Sequence, residues 1–428
     1  MAEKSSFLKN PWAWVPTLYF AEGIPYVLVM TVSVAFYKRM GVSNGDIAFY
    51  TSWLYLPWVI KPLWSPLVDL FRTKRSWILT TQLLIGAGLG GVALTTPLPG
   101  FFRWTLLFFW LLAFSSATHD IAADGFYMLG LSQKDQAFFV GIRSTFYRLA
   151  MLTGQGLLVM LAGFLEKTTG RIPLAWSLTF LFAAGLFLLF FLYHKFVLPR
   201  PAGDGPAPRR PGAGILEEFW RTFVLFFRKK DILSILAFLL LYRLGEAQLA
   251  KLAQPFLLDS PQAGGLGLST EAVGFAYGTV GVLALIAGGI LGGIAASRKG
   301  LKYWLWWMAA AINIPDAVYI YLSYALPKSQ LLVYSCIALE QFGYGFGFTA
   351  YMLFMIYASR GAYRTAHFAL TTGFMALGMM LPGMVSGWIQ EQLGYRHFFI
   401  WVMIATIPAF LACAFVKIDP EFGKKEES

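Results

Sequence analysis

Charge is what this chain has least of. Only 13% of its 428 residues are Asp, Glu, Lys or Arg, against 57% hydrophobic and 17% aromatic, and mean hydropathy is +0.61. So little polar surface cannot cover a water-soluble domain, which excludes one. Cysteine is nearly absent: Cys336 and Cys413 both lie in apolar stretches, which excludes a disulfide framework and a thiolate metal site. The four histidines show no ligand spacing, so no metal centre is expected. The apolar runs also lack period-two alternation. They are long and continuous, which excludes a membrane β-barrel and predicts an all-α polytopic membrane protein. The first run is too long for a signal peptide and has no small-residue cleavage site, so no cleaved leader is expected.

Twelve runs are long enough to span a bilayer. They fall near 11–37, 46–68, 76–97, 103–130, 136–165, 173–197, 232–258, 270–296, 301–325, 330–358, 362–391 and 396–416. The net charge of +12 gathers at their ends, in loops carrying Arg72, Lys74, Arg75, Arg228, Lys229, Lys230, Arg298 and Lys299. That is the positive-inside pattern rather than a nucleic-acid stripe, and it predicts both termini in the cytoplasm. Between spans six and seven, "LPRPAGDGPAPRRPGAG" is a Pro/Gly linker, followed by "ILEEFWRTFVLFFRKK", an aromatic and basic helix suited to the membrane surface. The expected domains are therefore 1–198, a linker at 199–230, and 231–428.

The halves repeat. At an offset of 224 residues, Tyr127-Met128-Leu129 meets Tyr351-Met352-Leu353, and "GFLEKTTGR" from Gly163 meets "GWIQEQLGYR" from Gly387 with both glycines in register. Lys74-Arg75 meets Arg298-Lys299, and Glu22 meets Glu246. A shared register along a whole half indicates two six-helix pseudo-repeats of a transporter. This architecture resembles the major facilitator superfamily, in which spans one, four, seven and ten line the central cavity.

Intramembrane ionisable residues are costly, at least about 2.5–3.5 kcal/mol each on insertion scales, so they mark function. Here they fall on the cavity spans: Glu22 on span one, Asp120 and Asp124 on span four, Arg243, Glu246 and Lys251 on span seven, and Glu340 on span ten, with Arg148 on span five. Asp316, after Pro315 on span nine, is the exception. Asp120 and Asp124 share a helix face and repel unless a cation or a proton intervenes; Arg148 and Arg143 are the candidate cations. Glu22 in "YFAEGIPY", beside Gly23 and Pro25, and its mate Glu246 are the leading proton-coupling candidates, with an interhelical salt bridge, for instance to Arg243 or Lys251, as the structural alternative. His119 reads either as an interhelical hydrogen-bond partner or as a proton relay.

"PLVDLFRTKRSW" joins spans two and three. It resembles the superfamily's loop signature, with Asp69, Arg72 and Arg75 in the gating roles. The combined stretches Trp64 to Asp69, Ser116 to Asp124 and Tyr147 to Met151 are similar to those of the AmpG-type muropeptide permeases, a branch that also includes acetyl-CoA transporters. The resemblance implies proton-driven import of anhydro-muropeptides across the bacterial inner membrane by a monomer, with the proton gradient as driving force and no cofactor. It implies Arg148, Arg243 and Lys251 for ligand carboxylates, Glu340 for an amine, and Tyr26, Trp53 and Tyr344 as sugar-stacking faces. A peptide, a siderophore or an acyl-CoA is the alternative solute. A polytopic enzyme built on His119-Asp120 is the remote third reading.

Overall fold

The computed structural model describes residues 10–201, 203–205, 215–360 and 364–423. Among these the chain is helical and no strand occurs. Span one is α1 (Val15–Val27), which runs through a π-turn at Leu28–Val32 into α2 (Ser33–Arg39). Span two is α3 (Asn44–Trp53) and α4 (Leu56–Leu70). Then come α5 (Lys74–Thr95), α6 (Phe101–Gly130), and α7 (Gln133–Met151), which continues through a second π-stretch, Leu152–Leu158, into α8 (Val159–Thr169). Span six is α9 (Ile172–Val197).

After the linker, α10 (Ile215–Phe227) precedes span seven, which is split into α11 (Ile232–Leu241) and α12 (Leu244–Leu258). Spans eight and nine comprise α13 (Thr270–Gly274), a π-stretch at Phe275–Gly281, α14 (Val282–Asn313), a 3₁₀ turn at Ile314–Ala317 and α15 (Val318–Ala325). Span ten is α16 (Gln330–Ala358); α17 (Arg364–Ala405) and α18 (Ile407–Phe415) complete the chain.

Eight stretches are long and apolar enough to cross a membrane, and two of these, Thr270–Ala325 and Ala366–Phe415, are 56 and 50 residues long. Each long stretch is broken by a glycine with positive φ, Gly300 (78°) and Gly394 (68°), so each is two helices. Spans two and ten are helical but less apolar: the first is interrupted between α3 and α4, and the second carries Glu340, Gln341 and three glycines. The twelve predicted spans are consistent with this set. Gly170 (φ 63°, ψ 9°) lies 224 positions before Gly394 (φ 68°, ψ 165°); both have a positive φ, which glycine takes without a Cβ penalty, but only Gly170 is left-handed helical.

The chain divides into two compact units, one from 1–40 with 63–209, the other from 41–62 with 210–428. Residues 41–62 precede the linker in sequence yet pack within the second unit. There the Asn44 amide donates to Gln390 Oε1 (2.7 Å) and to the Tyr395 hydroxyl oxygen (2.8 Å), and Glu391 Oε1 accepts from the Gly45 backbone N–H (2.7 Å). In the first unit Arg39 and Glu166 pair at 2.9 Å, tying the end of α2 to α8.

The core of the second unit rests on α14 against α16. These helices approach so closely that a Cβ on Gly345 would stand 2.1 Å from the Leu285 carbonyl oxygen. Lipid supplies no hydrophobic drive between helices, so backbone approach at small residues and dispersion do the packing. Gly345→Leu must push the two backbones apart. It should destabilise the purified protein by about 1–3 kcal/mol or more, read as a lowered Tm, and an unchanged Tm would show that this contact is not tight.

The helix α10 buries Thr222 and Phe226 and exposes Trp220, Arg221 and Arg228. Phe226 stacks on Phe374, and Lys229, just beyond, donates to the carbonyl of Ala358, the last residue of α16 (2.5 Å). Much of the Pro/Gly linker, with Arg209 and Arg210, lies outside the described residues.

Candidate functional site

In the first unit α1 carries Glu22, 7% exposed. Pro25 has no N–H and so cannot bond the Ala21 carbonyl one turn back, which loosens α1 beside the acid. A Cβ on Gly23 would lie 2.7 Å from the Ala150 Cβ, so α1 sits close to α7 here. The Glu22 carboxyl is hydrogen-bonded to that of Asp120 on α6, while its Oε2 is buried without a partner. Two carboxylates cannot hydrogen-bond each other, because neither has a hydrogen to give, so this contact is one that a proton would join.

Asp124 has a different environment. Its Oδ1 accepts from the Tyr19 hydroxyl (3.1 Å) and pairs with Arg143 of α7 at 3.0 Å. The Arg143 guanidinium carbon lies 4.5 Å from the Tyr19 ring centre and 5.1 Å from that of Tyr127, so cation–π contact holds the arginine in place. Of the two candidate cations, Arg143 takes the acid. Arg148 is half-buried, and its Nη1 is buried with no hydrogen-bond partner. Tyr26 lies beside Tyr147, ring centres 6.5 Å apart.

Asp120 and Asp124 are thus one turn apart but not equivalent: one is half of an acid pair, the other half of an ion pair. Tyr19 was not singled out in the sequence, although it lies three residues before Glu22 and so on the same helix face.

The fully buried His119 and His194 form a chain with Gln82 of α5 and Thr17 of α1. The Gln82 amide nitrogen lies 3.1 Å from His119 Nε2 and 2.9 Å from His194 Nδ1, and His194 Nε2 lies 3.0 Å from Thr17 Oγ1. Thr17 in turn donates to the Trp14 carbonyl. The Gln82 amide oxygen also lies 3.2 Å from His194 Nδ1, so this amide meets both imidazoles. His119 Nδ1 is buried without a partner. The chain joins spans one, three, four and six.

In the second unit span seven breaks at Tyr242 and Arg243, where α12 begins. Arg243 donates to Glu246 from Nε (2.8 Å) and Nη2 (3.2 Å), and Nη2 also donates to the Tyr344 hydroxyl (2.9 Å). Its guanidinium carbon is 4.9–5.9 Å from the ring centres of Tyr344, Phe348 and Tyr351. Glu246 sits in the first turn of α12, where the helix dipole favours a carboxylate. The mates Glu22 and Glu246 therefore have unlike partners, an acid and an arginine.

Lys251, 3% exposed, donates to Thr51 Oγ1 (3.0 Å) and lies 5.1 Å from the Tyr55 ring centre. No carboxylate pairs with it among the described residues. Glu340 is buried and accepts from Gln341 Nε2 (3.0–3.1 Å). Trp53 is half-buried.

Of the loop residues assigned to gating, Arg75 donates to the Lys195 carbonyl in the last turn of α9 (2.5 Å) and to the Leu198 carbonyl just beyond it (3.3 Å), and Asp204 accepts from the Lys74 and Arg75 backbone N–H groups (2.6 and 3.1 Å). Arg72 is exposed with a positive φ of 66°. Asp69 lies in α4, and its side chain is outside those described. No group of three or more His, Cys, Asp or Glu positioned for a metal ion occurs among the described residues.

A family model described as Major Facilitator Superfamily matches residues 15–381. The anhydromuropeptide permease of Escherichia coli K12 is 27% identical over 399 residues, covering 92% of this chain and 77% of that one. A putative transporter AmpG 4 of Rickettsia conorii is 26% identical, covering 92% and 93%. A crystal structure of a D-xylose–proton symporter superposes with a TM-score of 0.74 at 12% identity, covering 96% and 98%.

Proposed function

The chain belongs to the Major Facilitator Superfamily, and from that premise we propose that it imports anhydro-muropeptides, coupled to protons carried by the Glu22–Asp120 pair. The observation that carries the coupling is the pair itself. Two carboxyls in hydrogen-bond contact, one of them nearly water-free, hold a proton together that water access would let them release. The relatives' names support the substrate: this chain is similar along nine-tenths of its length to a permease named for anhydromuropeptide.

The cations also fit such a ligand. Among the described residues Arg148 Nη1 is buried with no partner and Lys251 is buried with no carboxylate, so each suits a carboxylate of a peptide stem. Arg243 is already committed to Glu246, which makes it a positioning residue rather than a substrate ligand. Glu340, with only Gln341 on its carboxyl, remains suited to an amine.

The driving force is the proton gradient and no cofactor takes part. In this reading the protein is a monomer of the bacterial inner membrane with both termini in the cytoplasm, an orientation that the positive-inside charge pattern supports. No catalytic step is proposed.

Uptake of labelled anhydro-muropeptide into proteoliposomes tests this reading. Gradient-driven accumulation is expected. In Arg148→Gln and Lys251→Gln, KM should rise by roughly ten- to hundredfold, because a hydrogen bond to a charged group is worth about 1.5–3 kcal/mol. No uptake by folded, oriented protein would remove the muropeptide assignment and point to a peptide, a siderophore or an acyl-CoA.

A further inference from the structure

Asp316 has no role in the site just described. It is 1% exposed, and neither carboxyl oxygen has a hydrogen-bond partner. It lies in the 3₁₀ turn Ile314–Ala317 that interrupts span nine. Pro315 there has no N–H to give the Ala311 carbonyl, which packs against the α16 backbone at Gly343. Asn313 opens the turn, is fully buried, and donates from Nδ2 to the Ala309 carbonyl (2.8 Å), leaving its Oδ1 unpartnered. In a 3₁₀ turn residues i and i+3 eclipse, so Asn313 and Asp316 lie one above the other. The break thus gathers three buried acceptor oxygens that have no hydrogen-bond partner among the described residues.

Among the described residues, the groups facing Asp316 supply no cation. Glu340 of α16 and Glu246 of α12 lie within electrostatic reach, as do the phenols of Tyr277 and Tyr319, hydrogen-bonded to each other. Arg243 is held by Glu246, and Arg396 of α17 donates to the Ser323 carbonyl (3.3 Å) further along span nine. An ionised Asp316 would be a bare charge beside two further acids in an apolar interior. One proton resolves this. On Asp316 it makes an O–H donor, and Asn313 Oδ1, one 3₁₀ turn back, is a buried acceptor still without a partner.

We propose that Asp316 and Asn313 form a second proton-binding site, in the second unit, separate from the Glu22–Asp120 pair. A carboxyl that were permanently neutral here would offer nothing over an amide. The helix break beside it is the kind of joint that absorbs backbone rotation when a transporter changes state, which gives the proton a way out.

Infrared difference spectroscopy of the full chain in lipid at neutral pH tests this without any substrate. Wild type minus Asp316→Asn should show the loss of one protonated-carboxyl C=O band. Asn313→Ala should keep that band but shift it to higher frequency, because the O–H loses its acceptor. This second variant carries the test if Asp316→Asn does not fold. Loss of a carboxylate band instead, an unshifted band in Asn313→Ala, or a carboxyl band that appears only when sodium is removed would overturn the proposal. The last outcome would make the site one for sodium. None of these results depends on whether muropeptide is the solute.

Discussion

Glu22→Gln leaves solute exchange running and abolishes accumulation. In the wild type each proton that travels with the solute contributes about 1.4 kcal/mol per unit of pH gradient, enough for tenfold accumulation. The amide keeps the volume of the carboxyl and can donate to Asp120, so α1 and α6 stay together. What it cannot do is take up and release the shared proton. Net gradient-driven uptake should fall to the level of passive equilibration, a loss of the whole tenfold at one pH unit, while counterflow of labelled against unlabelled solute continues. Asp120→Asn should behave in the same way, because either amide breaks the acid pair. Asp124→Asn should not: its carboxylate is matched by Arg143 and Tyr19, and its loss would loosen that contact without removing the shared proton. Accumulation that survives in Glu22→Gln would sink the coupling role of the pair.

The fold was largely legible in the sequence, because the bilayer imposes a length. Runs of about twenty apolar residues gave the spans, and the 224-residue register gave two related halves; Gly170 and Gly394, paired in that register, both have a positive φ. The allegiance of residues 41–62 was not legible. Asn44 and Gly45 find their partners in Gln390, Glu391 and Tyr395, nearly 350 positions away, and no periodicity within span two encodes a partner that distant. The breaks inside spans were half-legible: Pro315 marked one, whereas nothing in Leu28–Val32 or Phe275–Gly281 announced a π-turn.

For the site, sequence gave the acids and bases but not their pairing. Hydropathy singles out a charge in an apolar run, and the covalent spacing tells which face it shares. Which neighbour meets it depends on helix rotation and crossing, set by contacts such as Gly23 on Ala150. Hence Arg143 rather than Arg148 meets Asp124, and Glu22 meets Asp120. Polar but uncharged partners were passed over for the same reason. Gln82 and Thr17 complete the histidine chain, and Tyr19 completes the Asp124 site, yet none breaks an apolar pattern strongly enough to stand out.

The Arg243–Glu246 pair is where a single substitution should cost the fold most. Both side chains are only 9% exposed, and the contact is bidentate and backed by three aromatic faces. Arg243→Met fills the aromatic slot but leaves Glu246 buried and uncompensated, which costs about 3–5 kcal/mol. The N-terminal turn of α12 softens that by about a tenth to a third, since a helix dipole is worth about 0.3–1 kcal/mol. Glu246→Leu alone strands the guanidinium in turn. The double variant Arg243→Met/Glu246→Leu removes both charges and should recover most of the loss, because well-packed apolar pairs replace buried ion pairs at little or no cost. Thermal unfolding of the four proteins in one detergent closes the cycle, with an expected coupling of several kcal/mol between the two sites. Additive effects would mean that the two side chains do not depend on each other, and Glu246 would then return as a candidate for binding a proton on the same footing as Glu22.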